Sequence, residues 1–465
     1  MRRVDQRDTA VLPPAYQGYA RRFAEVSAQL RRTMEQFGLP LAQDDAHELA
    51  AARKRLVQAG AHLRNDGKSI VYGALSPACE RCRTGERSVS QFISLACPRN
   101  CWFCFNANQF DYNEYRSNRK DWRVEMDAYA QSMGKLDYVA LTGGEPLLYP
   151  DEACAFFAYA KRLNPQAHCR LYTSGWGAGR GLFERLAESG LDEIRFSVKI
   201  DAETSTNREA PQAESLECQV SRISLAVGVV PSVMVEMPVV PGEQDTLRTV
   251  MRRLDDMGAF GINLLEFCFP LHNAASYATR GFALRSDPYR IPYDYRYAGA
   301  LPVFGSEQAA YELMEWGIRQ GLRLGMHYCS LENKNTAQIF SQNHAGSLDM
   351  APYRFSQRDF FYKVLRVFGA DAAHVAEELE RIGAQADGNP FDDASQAVVA
   401  FDPKWLARLD ADLVDGLVKR GVLLCASAVV ESVEGGKERF REVGLAVVEA
   451  ADVVRAREGG EMAWV

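Results

Sequence analysis

Three thiols, Cys97, Cys101 and Cys104, lie in the run Cys97-Pro-Arg-Asn-Cys101-Trp-Phe-Cys104. Their x3 and x2 spacing reaches three corners of an iron–sulfur cube and leaves the fourth iron without a protein ligand. A cluster that only transfers electrons takes four thiolates, so three in one loop call for an outside molecule at the open corner. A tetrahedral zinc also needs four ligands, and no neighbouring residue is an obvious fourth. The spacing favours iron–sulfur, with zinc second and unligated thiols third.

A second constellation is Thr142-Gly-Gly-Glu-Pro146. Two glycines let a ligand approach the backbone closely, and an acid beside exposed carbonyls suits an ammonium group. Taken alone, a plain tight turn explains the same residues.

The elements that must position these groups follow from periodicity. Short apolar runs at residues 92–95, 138–141, 169–172, 193–198, 233–238 and 262–267 read as strands. Amphipathic stretches such as 152–163, 182–188 and 246–257 separate them, the pattern of a parallel sheet built from βα units. Six such units suggest a barrel or partial barrel whose working face is formed by the loops after the strands. The cysteine loop follows the first strand, and the Gly-Gly-Glu turn ends the second.

Outside this region, residues 16–63 read as two helices, the second from about 45 to 63. A seventh strand is expected at 323–328, ending at Cys329, and the long connection 270–304 suggests a lid or substrate-contacting insertion. Helices at 372–382 and 402–420, a strand at 428–433, a Glu434-Gly-Gly436 turn and an apolar run at 445–448 suggest a small α+β appendage.

The chain has 465 residues, enough for two or three domains, and its 47% hydrophobic content is that of a globular protein. A formal charge of −7 argues against broad, sequence-independent binding to nucleic acid. Residues 1–14 have no apolar core, and the most apolar region, 223–240, is broken by Pro231, Glu236 and Pro238. Neither a secretory signal nor a membrane span is expected. Eleven cysteines without a signal indicate a reducing, cytoplasmic setting.

The cysteine loop and the Gly-Gly-Glu turn, one βα unit apart, together resemble the radical S-adenosylmethionine (radical SAM) superfamily over about residues 91–267. The resemblance implies a partial (β/α)6 barrel with a [4Fe–4S] cluster on Cys97, Cys101 and Cys104. It places SAM at the open iron and implies reductive cleavage to a 5′-deoxyadenosyl radical that abstracts hydrogen from a small molecule or peptide. By position, Phe103 would border the adenine, and Thr142, Gly143, Gly144 and Glu145 would hold the methionine amino group. Ser197 and Lys199, in Phe196-Ser-Val-Lys-Ile-Asp201, match a motif that contacts the SAM ribose and carboxylate. An ordinary strand end facing a cavity is the alternative for these two. A ferredoxin, flavodoxin or reductase would donate the electron.

Cys79-Glu-Arg-Cys82 forms a half-site for zinc or a second iron–sulfur cluster. With Cys329, in Met326-His-Tyr-Cys-Ser330, it resembles a radical SAM group related to pyruvate formate-lyase activating enzymes. Cys79, Cys82 and Cys329 are a candidate second site, with Cys268, His327 or substrate as fourth ligand. Two loop thiols and an unrelated core cysteine are the alternative. The expected organisation is an N-terminal helical segment (1–84), a radical SAM partial barrel (85–345) and a C-terminal α+β domain (346–465). An activase or maturase acting on a partner protein, and a non-catalytic iron–sulfur regulatory protein, are the competing functions.

Overall fold

Strands with one apolar face, joined by amphipathic helices, build the larger of two compact units, Leu39–Arg285 with Arg296–Lys334. The computed structural model describes residues 1–4, 6–99, 101–199, 214–292, 300–344, 351–384, 386–387, 397–432 and 438–461. The strands of this unit's main sheet are β1 (His62–Arg64), β2 (Ser69–Tyr72), β3 (Ser88–Phe92), β4 (Tyr138–Thr142) and β5 (His168–Thr173). They continue with β6 (Glu193–Phe196), β7 (Ser232–Val239), β8 (Gly261–Glu266) and β9 (Gly325–Cys329). The order across the sheet is β1-β2-β9-β8-β7-β6-β5-β4-β3. Neighbours from β3 through β9 are parallel, while β2 runs antiparallel to both β9 and β1.

Parallel pairing needs a crossover after each strand, and the chain supplies helices for it. A short α1 (Pro77–Arg81) precedes β3. Then α2 (Trp122–Met133), α3 (Pro150–Leu163), α4 (Arg180–Glu188), α5 (Leu216–Ala226), α6 (Gln244–Asp256) and α7 (Ser306–Arg319) fall one between each successive pair from β3 to β9.

Because side chains alternate across a strand, the sheet has two different faces. Leu141, Leu171, Ile194, Val235, Ile262 and Met326 join Phe156, Phe183, Leu254 and Leu313 of the helices in one apolar core. Each such side chain contributes about 2 kcal/mol by leaving water. The residues between them put Arg170, Glu193, Arg195, Glu236, Asn263 and His327 on the opposite, inner face, all but Glu236 buried.

The expected first strand at 92–95 lies earlier, at Ser88–Phe92. Beyond Phe92 the backbone bonds to loops in place of a ladder: Leu95 N donates to Tyr115 O, and Gly144 N to Ser94 O. The two helices expected over 16–63 are Pro14–Glu35 and Ala46–Gln58, the second capped by Asp45, and the end of the expected stretch is β1. The insertion 270–304 contains a helix, Ala274–Ala278, and short strands Leu284–Arg285 and Leu301–Pro302.

The second unit comprises Met1–Gly38, Ser286–Tyr295 and Asn335–Val465. Its antiparallel sheet includes β10 (Tyr362–Phe368), β11 (Val398–Phe401), β12 (Leu424–Ser432) and β13 (Glu438–Val447). Helix Pro14–Glu35 packs Tyr16 and Tyr19 on Phe368, with ring centroids 5.0 and 5.2 Å apart. The N-terminal helix shares its apolar core with the C-terminal sheet. The helix expected at 402–420 is two pieces, Pro403–Arg408 and Ala411–Lys419, the second capped by Asp410. The Glu434-Gly-Gly436 turn lies outside the described residues. Among those described, no helix is long and apolar enough to cross a membrane.

Candidate functional site

Cys97, Cys101 and Cys104 lie on the loop leaving the C-terminal end of β3, and none is in a disulfide. Cys97 is exposed and the other two are half-buried. The protein around the Cys97 sulfur pushes its pKa up to about 11, with Glu145, Cys101 and Cys104 adding to the rise and a backbone bond from Arg99 opposing it. Cys104 is likewise raised by burial and by Cys101, while Lys199 pulls it down. Cys101 thus raises both Cys97 and Cys104, and Cys104 raises Cys97, so the three thiols share one neighbourhood. Among the described residues no three His, Cys, Asp or Glu side chains converge as ligands of a single ion. Three cysteine thiols on one loop are the donor set that a cluster with one open iron takes. The donor set fits the cluster.

The Gly-Gly-Glu turn is pressed against this loop. Gly144 N donates to Ser94 O at 3.0 Å and Glu145 N to Ala96 O at 2.8 Å. A Cβ on Gly144 would sit 2.0 Å from Ala96 O, and one on Gly143 2.7 Å from Ser94 O. The glycines thus serve first to let two backbone segments touch, a use the ligand-based expectation had missed. Asn106, just after Cys104, ties the loop to the turn by donating from Nδ2 to Gly143 O at 2.7 Å.

Glu145 is 2% exposed, and protein donors fill its carboxylate. Oε1 accepts from Thr173 Oγ1 at 2.5 Å and Leu147 N at 3.0 Å, and Oε2 from Ser174 N at 2.7 Å and Ser174 Oγ at 2.6 Å. A carboxylate offers about four acceptor positions, so this side chain fixes the turn to the end of β5 and has none left over. Glu145→Gln turns one oxygen into an NH2 that must face existing donors. The expected loss is about 2–4 kcal/mol, read as a lower urea midpoint at unchanged slope.

Ser197 and Lys199 follow β6, with Ser197 N donating to Thr173 O at 2.8 Å. Gln219 of α5, which sequence reasoning missed, clamps Lys199 from both sides. It accepts from Lys199 N at 2.9 Å and donates to Lys199 O at 3.0 Å. The Lys199 ammonium lies 5.6 Å from the Phe103 ring centre, which brings the strand-end residues to the cysteine loop. A cleft of about 290 Å³ opens beside them, lined by Trp102, Phe103, Val198, Met237, Pro238 and Phe282 among others.

The second thiol set lies by the inner face of the sheet. Arg195 Nη2 is 3.3 Å and Asn263 Nδ2 3.7 Å from Cys79 Sγ. Burial would raise the Cys79 pKa, but the charges of Arg195 and His327 outweigh it and hold the thiol at about 6. Burial, then the neighbouring Cys79, raises Cys82. Burial likewise pushes Cys329 up to about 12, with Cys82 and Cys79 adding and Lys334 and Asn333 opposing. The three sulfurs thus influence one another. Cys268 is raised to about 11 chiefly by burial, without a contribution from them. His327 has both ring nitrogens engaged, by Ser69 and Asn263 at 3.0 Å each, so serving as fourth ligand would break this network. Within the connection 270–304, Tyr289 is buried with its carbonyl bonded to Arg3, and residues 293–299 lie outside the described residues.

Thr173, Ser174, Gln219 and Arg195 had gone unrecognised. The Thr-Ser-Gly end of β5 was a visible signal, a polar cluster closing a strand beside the Gly-Gly-Glu turn. Gln219 had none.

Sequence comparison finds relatives over the same region. Residues 92–254 match the model of the Radical SAM superfamily. A Methanocaldococcus jannaschii protein named as a glycyl-radical enzyme activating enzyme is 25% identical over 222 residues, 46% of this chain and 56% of the relative. PqqA peptide cyclase of Methylorubrum populi is 30% identical over 111 residues, 24% of this chain and 28% of its own. The chain thus spans about half or less of the length of these relatives. Streptococcus suis SuiB, solved with its precursor peptide SuiA, is similar at 14% identity and a TM-score of 0.37, covering 72% of this chain and 67% of SuiB. The family implies a [4Fe–4S] cluster and SAM as cofactors. The cysteine loop and the Gly-Gly-Glu turn both lie inside the region, residues 92–254, that matches the radical SAM superfamily.

Proposed function

We propose that this chain is a radical SAM enzyme acting on a small molecule or peptide, with its parallel strands forming a partial (β/α)6 barrel. The observation that supports it most is the contact between the cysteine loop and the Gly-Gly-Glu turn, through Ser94, Ala96, Gly144 and Glu145. Cys97, Cys101 and Cys104 would hold the cluster, and the absent fourth thiol leaves one iron for SAM. When bound, cluster and SAM supply reductive cleavage of the C5′–S bond, giving methionine and a 5′-deoxyadenosyl radical.

The chain's own residues bind and orient. Phe103 and the cleft beside it receive the nucleoside, and Lys199 brings a positive charge to the ribose and carboxylate side, with Ser197. The Thr142–Gly144 backbone meets the methionine end, and Glu145 acts as a positioning residue that sets the turn's height. The polar inner face, with Arg170, Arg195, Glu236 and Asn263, faces the substrate and keeps bulk water out. Electrons come from a ferredoxin, flavodoxin or reductase. Anaerobic incubation with dithionite and SAM should yield 5′-deoxyadenosine; none from protein carrying a full cluster would sink the reading.

A second reading, modification of a partner protein, is favoured by the name of the Methanocaldococcus relative. Deuterium appearing in 5′-deoxyadenosine from a labelled polypeptide supports it, and transfer from a small molecule counts against it. Cys79, Cys82 and Cys329 remain a candidate second iron–sulfur site, supported by the mutual influence of their sulfurs. Iron content of about eight per chain, falling to about four in Cys79→Ala/Cys82→Ala, is the expected result. About four in both proteins would rule the second cluster out.

A further inference from the structure

Two guanidiniums stand on neighbouring strands of the inner face, Arg170 on β5 and Arg195 on β6, and their surroundings differ. Arg195 bonds Glu193, Glu236 at 2.8 Å, Ser76 at 3.0 Å and Cys79 at 3.3 Å. Glu193 also receives Ser76 at 2.6 Å and His168 at 3.2 Å, and Glu236 receives Asn263 at 2.8 Å. The acids of this face are therefore already engaged. Arg170 is only 8% exposed, yet neither its Nε nor its Nη1 has a hydrogen-bond partner among the described residues. Its guanidinium carbon lies 5.8 Å from the Tyr172 ring centre, and its charge reaches the half-buried Cys82.

A guanidinium cannot shed its proton, so it cannot escape burial by neutralising. Holding that charge without a counter-charge weakens the fold, and an arrangement of this kind persists where a ligand supplies the missing partner. Arg195 shows what a satisfied guanidinium looks like one strand away. Arg170 carries the charge, but its Nε and Nη1 find no acceptor among the described residues.

We propose that Arg170 is an anion anchor of the inner face, where it binds a carboxylate group of the substrate. The inference rests on the inner face being the substrate side and adds the substrate's charge to that reading.

The test is thermal unfolding of the full-length, cluster-reconstituted chain in acetate against chloride at constant ionic strength. Wild type should gain roughly 3–8 °C at saturating acetate, by mass action on the folded state. Arg170→Met should lose that gain, while unfolding in chloride at or above the wild-type temperature, because an uncompensated charge has been replaced by apolar volume. Arg170→Lys, which keeps the charge, should retain part of the acetate response. The proposal is overturned if Arg170→Met keeps the full response or if wild type shows none. It is overturned equally if Arg170→Met fails to fold while Arg170→Lys melts alike in both salts, which would make Arg170 structural. A response that disappears only in Cys79→Ala/Cys82→Ala would assign the anion to the thiols and also overturn it. The readout does not use SAM, so a wild type that binds acetate but never cleaves SAM would remove the proposed function and leave the anchor standing.

Discussion

Cys101→Ala should reduce 5′-deoxyadenosine formation to the no-enzyme background while leaving the fold intact. In the proposed site these three thiols would be the protein's ligands to the cluster. Removing one leaves two thiolates, too few to hold a cluster that already depends on an external ligand. The fold should survive because Cys101 is half-buried on a loop, outside the apolar core that the helices share with the sheet. A melting temperature within about 2 °C of wild type is expected, since changes away from packed cores stay within about 0.5 kcal/mol. Product formation is read anaerobically with dithionite and SAM, beside iron content. SAM cleavage at the wild-type rate by the variant would show that the loop does not carry the cluster.

Gly144→Ala should be nearly as damaging for a different reason. The added Cβ would lie 2.0 Å from Ala96 O and 2.5 Å from Ala96 C, both backbone atoms that no rotamer change can move. The turn and the cysteine loop must separate, breaking the bonds from Gly144 N to Ser94 O and from Glu145 N to Ala96 O. Overpacking of this kind costs about 1–3 kcal/mol, and two lost backbone bonds add about 2 kcal/mol. Stability should fall by roughly 3–5 kcal/mol, measured by urea unfolding, and reconstitution should give little iron. A variant with wild-type stability would mean that this contact does not position the loop.

How much of this was legible in the sequence depended on which physical signal each residue carried. The spacing of Cys97, Cys101 and Cys104 is local and so visible in the sequence, and the later parallel strands are visible because one face of each is apolar. The first strand was misplaced because three of the four residues Ser88-Val89-Ser90-Gln91 are polar, while Ile93 and Leu95, which are more apolar, bond to loops instead. Glu145 was found by its motif, but its partners Thr173 and Ser174 depend on how β4 and β5 pair, which spacing along the chain does not state. Arg170, Arg195 and Glu236 read as interruptions in apolar runs, since the second face of a sheet becomes visible only when strands are placed side by side. The link between the N-terminal helix and the C-terminal sheet was likewise hidden, because Tyr19 and Phe368 are remote in sequence and meet only through packing.

The account turns on one iron being left open by three thiols and filled by SAM. The most direct measurement is the electron paramagnetic resonance spectrum of the dithionite-reduced, reconstituted chain with and without SAM. SAM should change the cluster signal of wild type and should do the same in Cys79→Ala/Cys82→Ala, whose three loop cysteines are intact. A full cluster whose spectrum does not respond to SAM would contradict the account.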